Sequence, residues 1–436
     1  MLEQLHIATI ADAVVDAGES SSASPAADTA EPQAVRASPA SVPAAEALVT
    51  HGWGRIAYNV VRSLGRRGIS VALGTDGFLG MATLSRYTTS TFRHPSFVRE
   101  PAEFIASVAE AIRKFSPRVY LPSEQEVMVV ARFRDQLEQL GAAIPVAPFA
   151  TLRVLHKKDS LACLAHSLGI PHPETIVPRD LGELCAFARE FGDPVVLKRL
   201  SSSSGRGVFY LTGAQLTSLG RSGSIPGLSF GEFLAQRYVG GAGYGVSMLF
   251  HQGKLRAKFT HKRLRERTST GGVSTLRISV RNPLLEEYAE QLLSRTNFHG
   301  VAMVEFKYDE EHKQAHLLEV NPRFWGSLAL AIHSGVDFPY LLYRMALEGD
   351  VDPVFDYRTN VQCRWIFGDV FTRLFRLGRG GIRSSGAEQP PLMHVSDDFD
   401  WRDPLPFAGQ FVFSTWKYLK TLGTGPEDTD VSPDRL

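Results

Sequence analysis

Two short apolar runs joined by a polar turn, VAMVEFKYD (301–309) and AHLLEVN (315–321), constrain this chain more than any other feature. Both have the length and composition of strands, and EEHK between them reads as the turn of a hairpin. With the turn centred on His312, Glu305 and Glu319 lie equally far from it and face each other. Side chains alternate along a strand, so Met303, Glu305 and Lys307 share one face, as do Leu317, Glu319 and Asn321. Two carboxylates about 5 Å apart, at an effective dielectric near 20, repel by roughly 3 kcal/mol. A solvated surface hairpin with Lys307 between the acids would tolerate that cost. A divalent cation would convert it into a binding site, and hard oxygen donors suit Mg²⁺ or Mn²⁺ shared with phosphate. Asn321-Pro322-Arg323 adds a third oxygen and a guanidinium able to fork onto phosphate oxygens.

A chain of 436 residues can hold two or three domains. Its 47 basic and 46 acidic side chains nearly cancel, which gives no electrostatic reason to expect a nucleic-acid partner. Cys163, Cys185 and Cys363 are scattered, against a disulfide framework or structural zinc and in favour of a reducing compartment. No apolar run has the length of a bilayer span, and the N-terminus lacks the pattern of a signal peptide. The expectation is a cytoplasmic protein.

Residues 1–46 are rich in Ala, Ser and Pro and read as a disordered leader. From 47 to 150 strands and helices alternate: ALVT, a helix over Arg55–Arg67, ISVALG, a helix over Glu103–Lys114, RVYLP, and a helix near Glu124–Leu140. That alternation predicts a parallel, Rossmann-like sheet. His51-Gly52-Trp53-Gly54 occupies the phosphate-binding position of such a fold without its three-glycine fingerprint, and reads better as a tight turn. Over 151–350 the expectation is α+β. A smaller unit at about 170–235 contains a helix at Leu181–Phe191, the strands PVVLKRL and VFYL, and a helix from Ala214. A larger unit at about 236–350 contains strands, a helix at Pro283–Arg295, the acidic hairpin, and helices at Trp325–His333 and Phe338–Glu348. Residues 351–436 form a less periodic C-terminal extension, with amphipathic stretches at Val370–Leu377 and Phe411–Leu422 and a polar tail.

Lys198 ends a buried-looking strand, and Ser201, Ser202, Ser203, Ser204, Gly205, Arg206 and Gly207 follow. Small residues let backbone N–H groups approach phosphate, with the lysine as a compact positive charge; from these residues alone a flexible hairpin loop beside a solvated lysine is the better reading. Phe233–Val239 reads as a strand running into Gly240, Gly241, Gly243 and Gly245. Such a strand can offer backbone groups to an adenine edge, with Gln236 accepting from the exocyclic amine. His261, Lys262, Arg263, Arg265 and Arg267 form a basic run, either a solvated face or a site for an anionic substrate, and Gly271 and Gly272 beside it suggest a moving loop. His299 and His333 read as packing or capping residues.

Taken in order, these parts resemble the ATP-grasp superfamily over about residues 48–348. The chain is most similar to carboxylate–amine ligases that look like half of a carbamoyl-phosphate synthase large subunit. HKKDSLACLAHSLGIPHPET (156–175), THKRLRERTSTGGVST (260–275) and HLLEVNPRFWGSLALAIHSGVDFP (316–339) carry the resemblance. It implies an ATP-grasp fold with an N-terminal Rossmann-like pre-ATP-grasp domain. It also implies that Lys158, Lys198, Ser201–Ser204, Gly205 and Gly207 hold the phosphates of ATP. Gln236, Tyr238 and Val239 would hold adenine, and Glu305, Glu319 and Asn321 would hold Mg²⁺ or Mn²⁺. Arg323 would stabilise charge on the transferring phosphoryl group. Of the basic run, Lys262 and Arg263, beside Gly271 and Gly272, are the candidates to meet the anionic substrate or the triphosphate. Arg237 stands where the family commonly has Glu, and Gly243-Tyr244-Gly245 occupies the usual acidic ribose contact.

The implied reaction phosphorylates a carboxylate with ATP and then joins it to an amine, less often a thiol. A phosphotransferase, or an ATP-binding scaffold without turnover, would use the same residues. The implied partners are a small-molecule acid and amine, with no nucleic acid. A homodimer and a peripheral membrane contact stay open.

Overall fold

The computed structural model describes residues 44–77, 79–200, 207–222, 229–268, 271–370, 392–412 and 414. The leader to residue 43, Ser201–Ser204, Gly205, most of both C-terminal amphipathic stretches and the polar tail lie outside the described residues.

The chain enters as β1 (Ala47–Val49), α1 (Arg55–Gly65), β2 (Val71–Thr75), β3 (Ser90–Arg93), α2 (Pro101–Phe115) and β4 (Val119–Leu121). The four strands pair in parallel in the order β3-β2-β1-β4, the expected Rossmann-like sheet. α2 forms where Pro101 opens it, Glu103 lies in its first turn and Arg113 and Lys114 in its last. The segment expected as one helix near Glu124–Leu140 is two, α3 (Val127–Arg132) and α4 (Arg134–Glu138), interrupted at Phe133. α5 (Phe149–His156) and α6 (Lys158–Ser167) lead out of this domain.

The small unit contains β5 (Thr175–Ile176), α7 (Leu181–Phe191), β6 (Val195–Arg199), β7 (Val208–Leu211), α8 (Gly213–Ser222) and β8 (Phe233–Arg237). Its antiparallel sheet has the order β5-β8-β6-β7. The Asp180 side chain accepts from the Glu183 backbone N–H to start α7.

The large unit is built on a seven-stranded sheet. It comprises β9 (Ala242–His251), β10 (Lys254–Thr268), β11 (Gly271–Val280), α9 (Pro283–Arg295), β12 (Gly300–Asp309), β13 (Gln314–Asn321), α10 (Leu328–Ser334) and α11 (Phe338–Glu348). β14 (Val361–Arg364) and β15 (Met393–Ser396) extend its far edge, giving the order β13-β12-β9-β10-β11-β14-β15. The C-terminal extension thus adds two strands where its sequence shows little periodicity.

Among the described residues three hydrophobic cores form. One joins Leu48, Phe104 and Tyr120 of the N-terminal domain to Val246, Phe306 and Val320 of the large sheet. The second joins Val49, Tyr58 and Leu73 to Phe259, Met303 and Trp325 on that sheet's other face. The third, around Leu184, Phe187, Leu197 and Phe233, belongs to the small unit alone.

Candidate active site

β12 and β13 pair with Met303 opposite Asn321 and Glu305 opposite Glu319, the register expected from the turn. The register slips just beyond, at Leu318, so that Phe306 faces Leu317. Leu317 therefore joins Phe306 and Val320 in the first core and does not share the face of Glu319, a correction to strict alternation. Glu305 and Glu319 are left side by side on a largely buried surface.

The electrostatics of this pair come from three cations, Arg263, Lys158 and Lys198. The Arg263 guanidinium pairs with Glu305 and reaches Glu266 at 3.3 Å. Burial pushes Glu305 up, with Arg263 opposing and Glu319 adding to the rise, and the net direction is upward. Burial acts the same way on Glu319, but Lys158, Lys198 and Arg263 outweigh it and hold this carboxyl below its ordinary value. Lys198 in turn is pushed down to about 8, by burial first and then by Lys158, against the pull of Glu319 and Glu305. Lys158 opens α6 and Lys198 lies on β6, so three separate parts of the chain converge here.

Gly243 and Gly245 lie within β9. A Cβ at Gly243 would lie 2.9 Å from Arg263 Cδ, and one at Gly245 2.3 Å from His261 Cε1. These glycines leave room for the side chains of β10 to lie across β9.

Asn321 donates its amide to Glu305 Oε1 at 3.2 Å and to Glu319 Oε1 at 3.3 Å, while its oxygen accepts from Arg323 at 3.2 Å. The amide would have to turn over to offer oxygen to a cation beside the carboxylates. Among the described residues no three His, Cys, Asp or Glu side chains converge as a closed cage. Two carboxylates and a carboxamide fit a hard divalent cation only if phosphate oxygens complete its shell.

Arg323 also donates to the Phe324 carbonyl at 2.8 Å. It faces a cleft lined by Gln125, Val127, Met128, His156 and Pro322, between the N-terminal domain and the sheet. A second pocket joins Lys158, Lys198, Gln236, His172, Leu234 and Leu318. In it Gln236 donates to Thr175 Oγ1 at 2.9 Å, leaving its carbonyl oxygen for a ligand. β8 is paired on both sides, so Ala235 and Gln236 have no backbone groups to spare for a base. Tyr238 and Val239 follow the end of that strand, and Tyr238 packs edge-on against Tyr210. Gly207 has φ of 73° and its carbonyl accepts from Arg199 N–H at 3.1 Å, closing the β6–β7 loop.

The basic run does not form one anion site. Lys262 pairs with Glu310 at 2.6 Å, on the sheet face opposite Glu305, while Arg265 pairs with Asp369 at 2.7 Å. His261 is buried, and burial with Arg263 and Arg277 beside it pushes its pKa far down. Alternation along β10 separates these residues, and the Arg267 side chain lies outside the described residues.

Sequence reasoning missed Arg277 and Arg55. Arg277 pairs with Asp397 with both side chains buried, and donates to the Gly326 carbonyl at 3.3 Å. Arg55 lies 3.9 Å from Asp397 and stacks 3.9 Å over Trp365. Together they fix the loop that follows Asn321-Pro322-Arg323. The available signal was an arginine in the middle of the strand TLRISV.

This architecture is the ATP-grasp fold. Residues 229–368 match the family described as ATP-grasp in the biosynthetic pathway with Ter operon. No curated protein matches the chain. Among solved structures it is similar to the biotin carboxylase of Campylobacter jejuni, at TM-score 0.59 and 14% identity over 73% of this chain and 74% of that one. The biotin carboxylase domain dimer of Hydrogenobacter thermophilus 2-oxoglutarate carboxylase, solved with MgADP and bicarbonate, matches at 0.59 and 16% identity, over 73% of both chains. The L-amino acid ligase of Bacillus licheniformis matches at 0.54 and 15% identity, over 72% of this chain and 79% of that one.

Proposed function

We propose that the chain is an ATP-dependent carboxylate–amine ligase acting on small molecules. The observation that carries this reading is the register-matched pair Glu305 and Glu319, set against Lys158 and Lys198 from two other elements. Bound Mg²⁺, or Mn²⁺, would offset triphosphate charge and polarise the transferring phosphoryl group. Glu305, Glu319 and Asn321 would hold it after the Asn321 amide turns over. Lys158 and Lys198 would hold phosphate oxygens, together with Ser201–Ser204, Gly205 and Gly207 on sequence grounds. Tyr238 and Val239 would offer backbone groups to adenine, and Gln236 its free carbonyl oxygen.

Arg323 lies between Asn321 and the cleft of Gln125 and His156, which suits it to the incoming carboxylate and the phosphoryl group at once. Carboxylate oxygen would attack the γ-phosphorus with ADP leaving. The amine nitrogen would then attack the acylphosphate carbon, releasing phosphate and losing a proton. Arg263 serves this reading by opposing the rise that burial gives the Glu305 pKa, and Lys262 has no place in it. Positioning and exclusion of water are the chain's contribution.

The test is ADP and phosphate release with Mg²⁺-ATP across a panel of acids and amines, with Glu319→Ala alongside. Release that needs both an acid and an amine, and is lost in the variant, supports the ligase. Release with an acid alone favours the phosphotransferase. ATP binding with no release in any combination removes the enzyme reading.

A further inference from the structure

Residues 405–412 form a helix after β15. Its exposed positions are Leu405, Ala408, Phe411 and Val412, with Pro404 just ahead, and its buried positions are Pro406, Gly409 and Gln410. The spacing from 405 to 408 to 412 is that of one helical stripe, and this solvent-facing stripe contains no polar side chain. Leu405 is 61% exposed, and Trp401, one turn ahead, is 86% exposed. Phe411 keeps an edge contact with Phe367 and is still mostly exposed.

The charges nearby are sorted by direction. Every aspartate of the segment points inward. Asp397 pairs with Arg277, Asp398 accepts from the Ile366 and Phe367 N–H groups, Asp400 pairs with Arg66, and Asp403 accepts from Ser85 Oγ at 2.5 Å and Arg86 N–H at 3.0 Å. Arg402 is exposed beside Trp401. The outward surface of 392–412 therefore shows apolar and basic groups and no acid. The sequence that follows contains Trp416, Lys417, Leu419 and Lys420. In the sequence Arg373, Arg376, Arg379 and Arg383, with the single acid Glu388, lie between Val370 and β15. No described helix is long and apolar enough to cross a membrane.

We propose that this face docks on the surface of an anionic lipid bilayer. Leu405, Val412 and Trp401 enter the headgroup boundary, and Arg402 meets lipid phosphate. An apolar stripe with an exposed tryptophan and Arg402 at its edge, and the aspartates of its own segment turned inward, matches the chemistry of an anionic interface. A second protein copy would bring the same cations against themselves.

The experiment is co-sedimentation of the full chain with phosphatidylcholine vesicles, with and without phosphatidylglycerol. Binding is expected to be about tenfold stronger to the anionic vesicles and to weaken as salt is raised. The double variant Trp401→Ser/Leu405→Ser should lower it about tenfold, and Arg402→Glu should lower it with the thermal midpoint unchanged. All three side chains are exposed, so folding should survive. Absence of binding to either vesicle, or binding that neither variant changes, overturns the proposal. So does a concentration-dependent dimer, seen by light scattering, that the double variant disperses.

Discussion

Arg263 and Glu305 stand two strands apart in the large sheet and still form an ion pair, because β9 between them has Gly243 and Gly245 where side chains would intervene. An acid on one strand is thus paired with a base that crosses a whole strand to reach it. Gly245→Ala should cost about 1–3 kcal/mol in urea unfolding, since the new methyl meets the buried His261 ring. Gly243→Val should part Arg263 from Glu305 and weaken Mg²⁺-ATP binding by about tenfold or more in calorimetry. A full-strength complex in that variant would separate the ion pair from nucleotide binding.

The depressed pKa of Lys198 would give the proposed nucleotide site a pH signature. Burial brings this amine to about 8, and only its charged form attracts phosphate. Affinity for ATP should be level below that value and fall as pH rises through it, approaching tenfold per pH unit. Lys198→Arg should keep charge throughout and flatten the curve, which equilibrium dialysis across pH would measure.

Breaking the buried pair of Arg277 and Asp397 should be far costlier than removing it whole. Asp397→Asn strands a buried guanidinium and should destabilise by about 3–5 kcal/mol. The double change Arg277→Met/Asp397→Leu should recover part of that loss in denaturant titrations.

Acid should destabilise the fold through two histidines. Burial, with Arg62 and Arg66 nearby, lowers His333 to about 4, and burial with His251 nearby does the same to His299. The unfolded chain takes up these protons near pH 6.5 and the folded one does not. Stability is therefore intact above 6.5 and falls as pH drops toward 4, by up to about 3 kcal/mol for each group. His333→Gln should reduce the slope of thermal midpoint against pH in that window.

Local rules reached far in this chain where one stretch decides its own fate. The facing of Glu305 and Glu319 followed from a turn centre and a period of two, and α7, α9 and α11 have the bounds that their caps and prolines mark. The bulge at Leu318 escaped, because a slip in register leaves no mark in an apolar run. β3, β14 and β15 escaped because each is four residues long and takes its stability from neighbours distant in sequence. Glycine at 243 and 245 resembled a turn because its cause lies on β10, a separate strand. Arg277 meets Asp397 across 120 positions, and no periodicity reaches so far.

Two of the three hydrophobic cores run through both the N-terminal domain and the large sheet, while the small unit keeps a core to itself. In hydrogen exchange the first two regions should therefore open together at the global free energy, as one cooperative block. The leaf carrying Lys198 should exchange by a cheaper route of its own. On the proposed function, nucleotide entry would need only that leaf to swing, with Glu305, Glu319 and Arg323 kept stationary on the block.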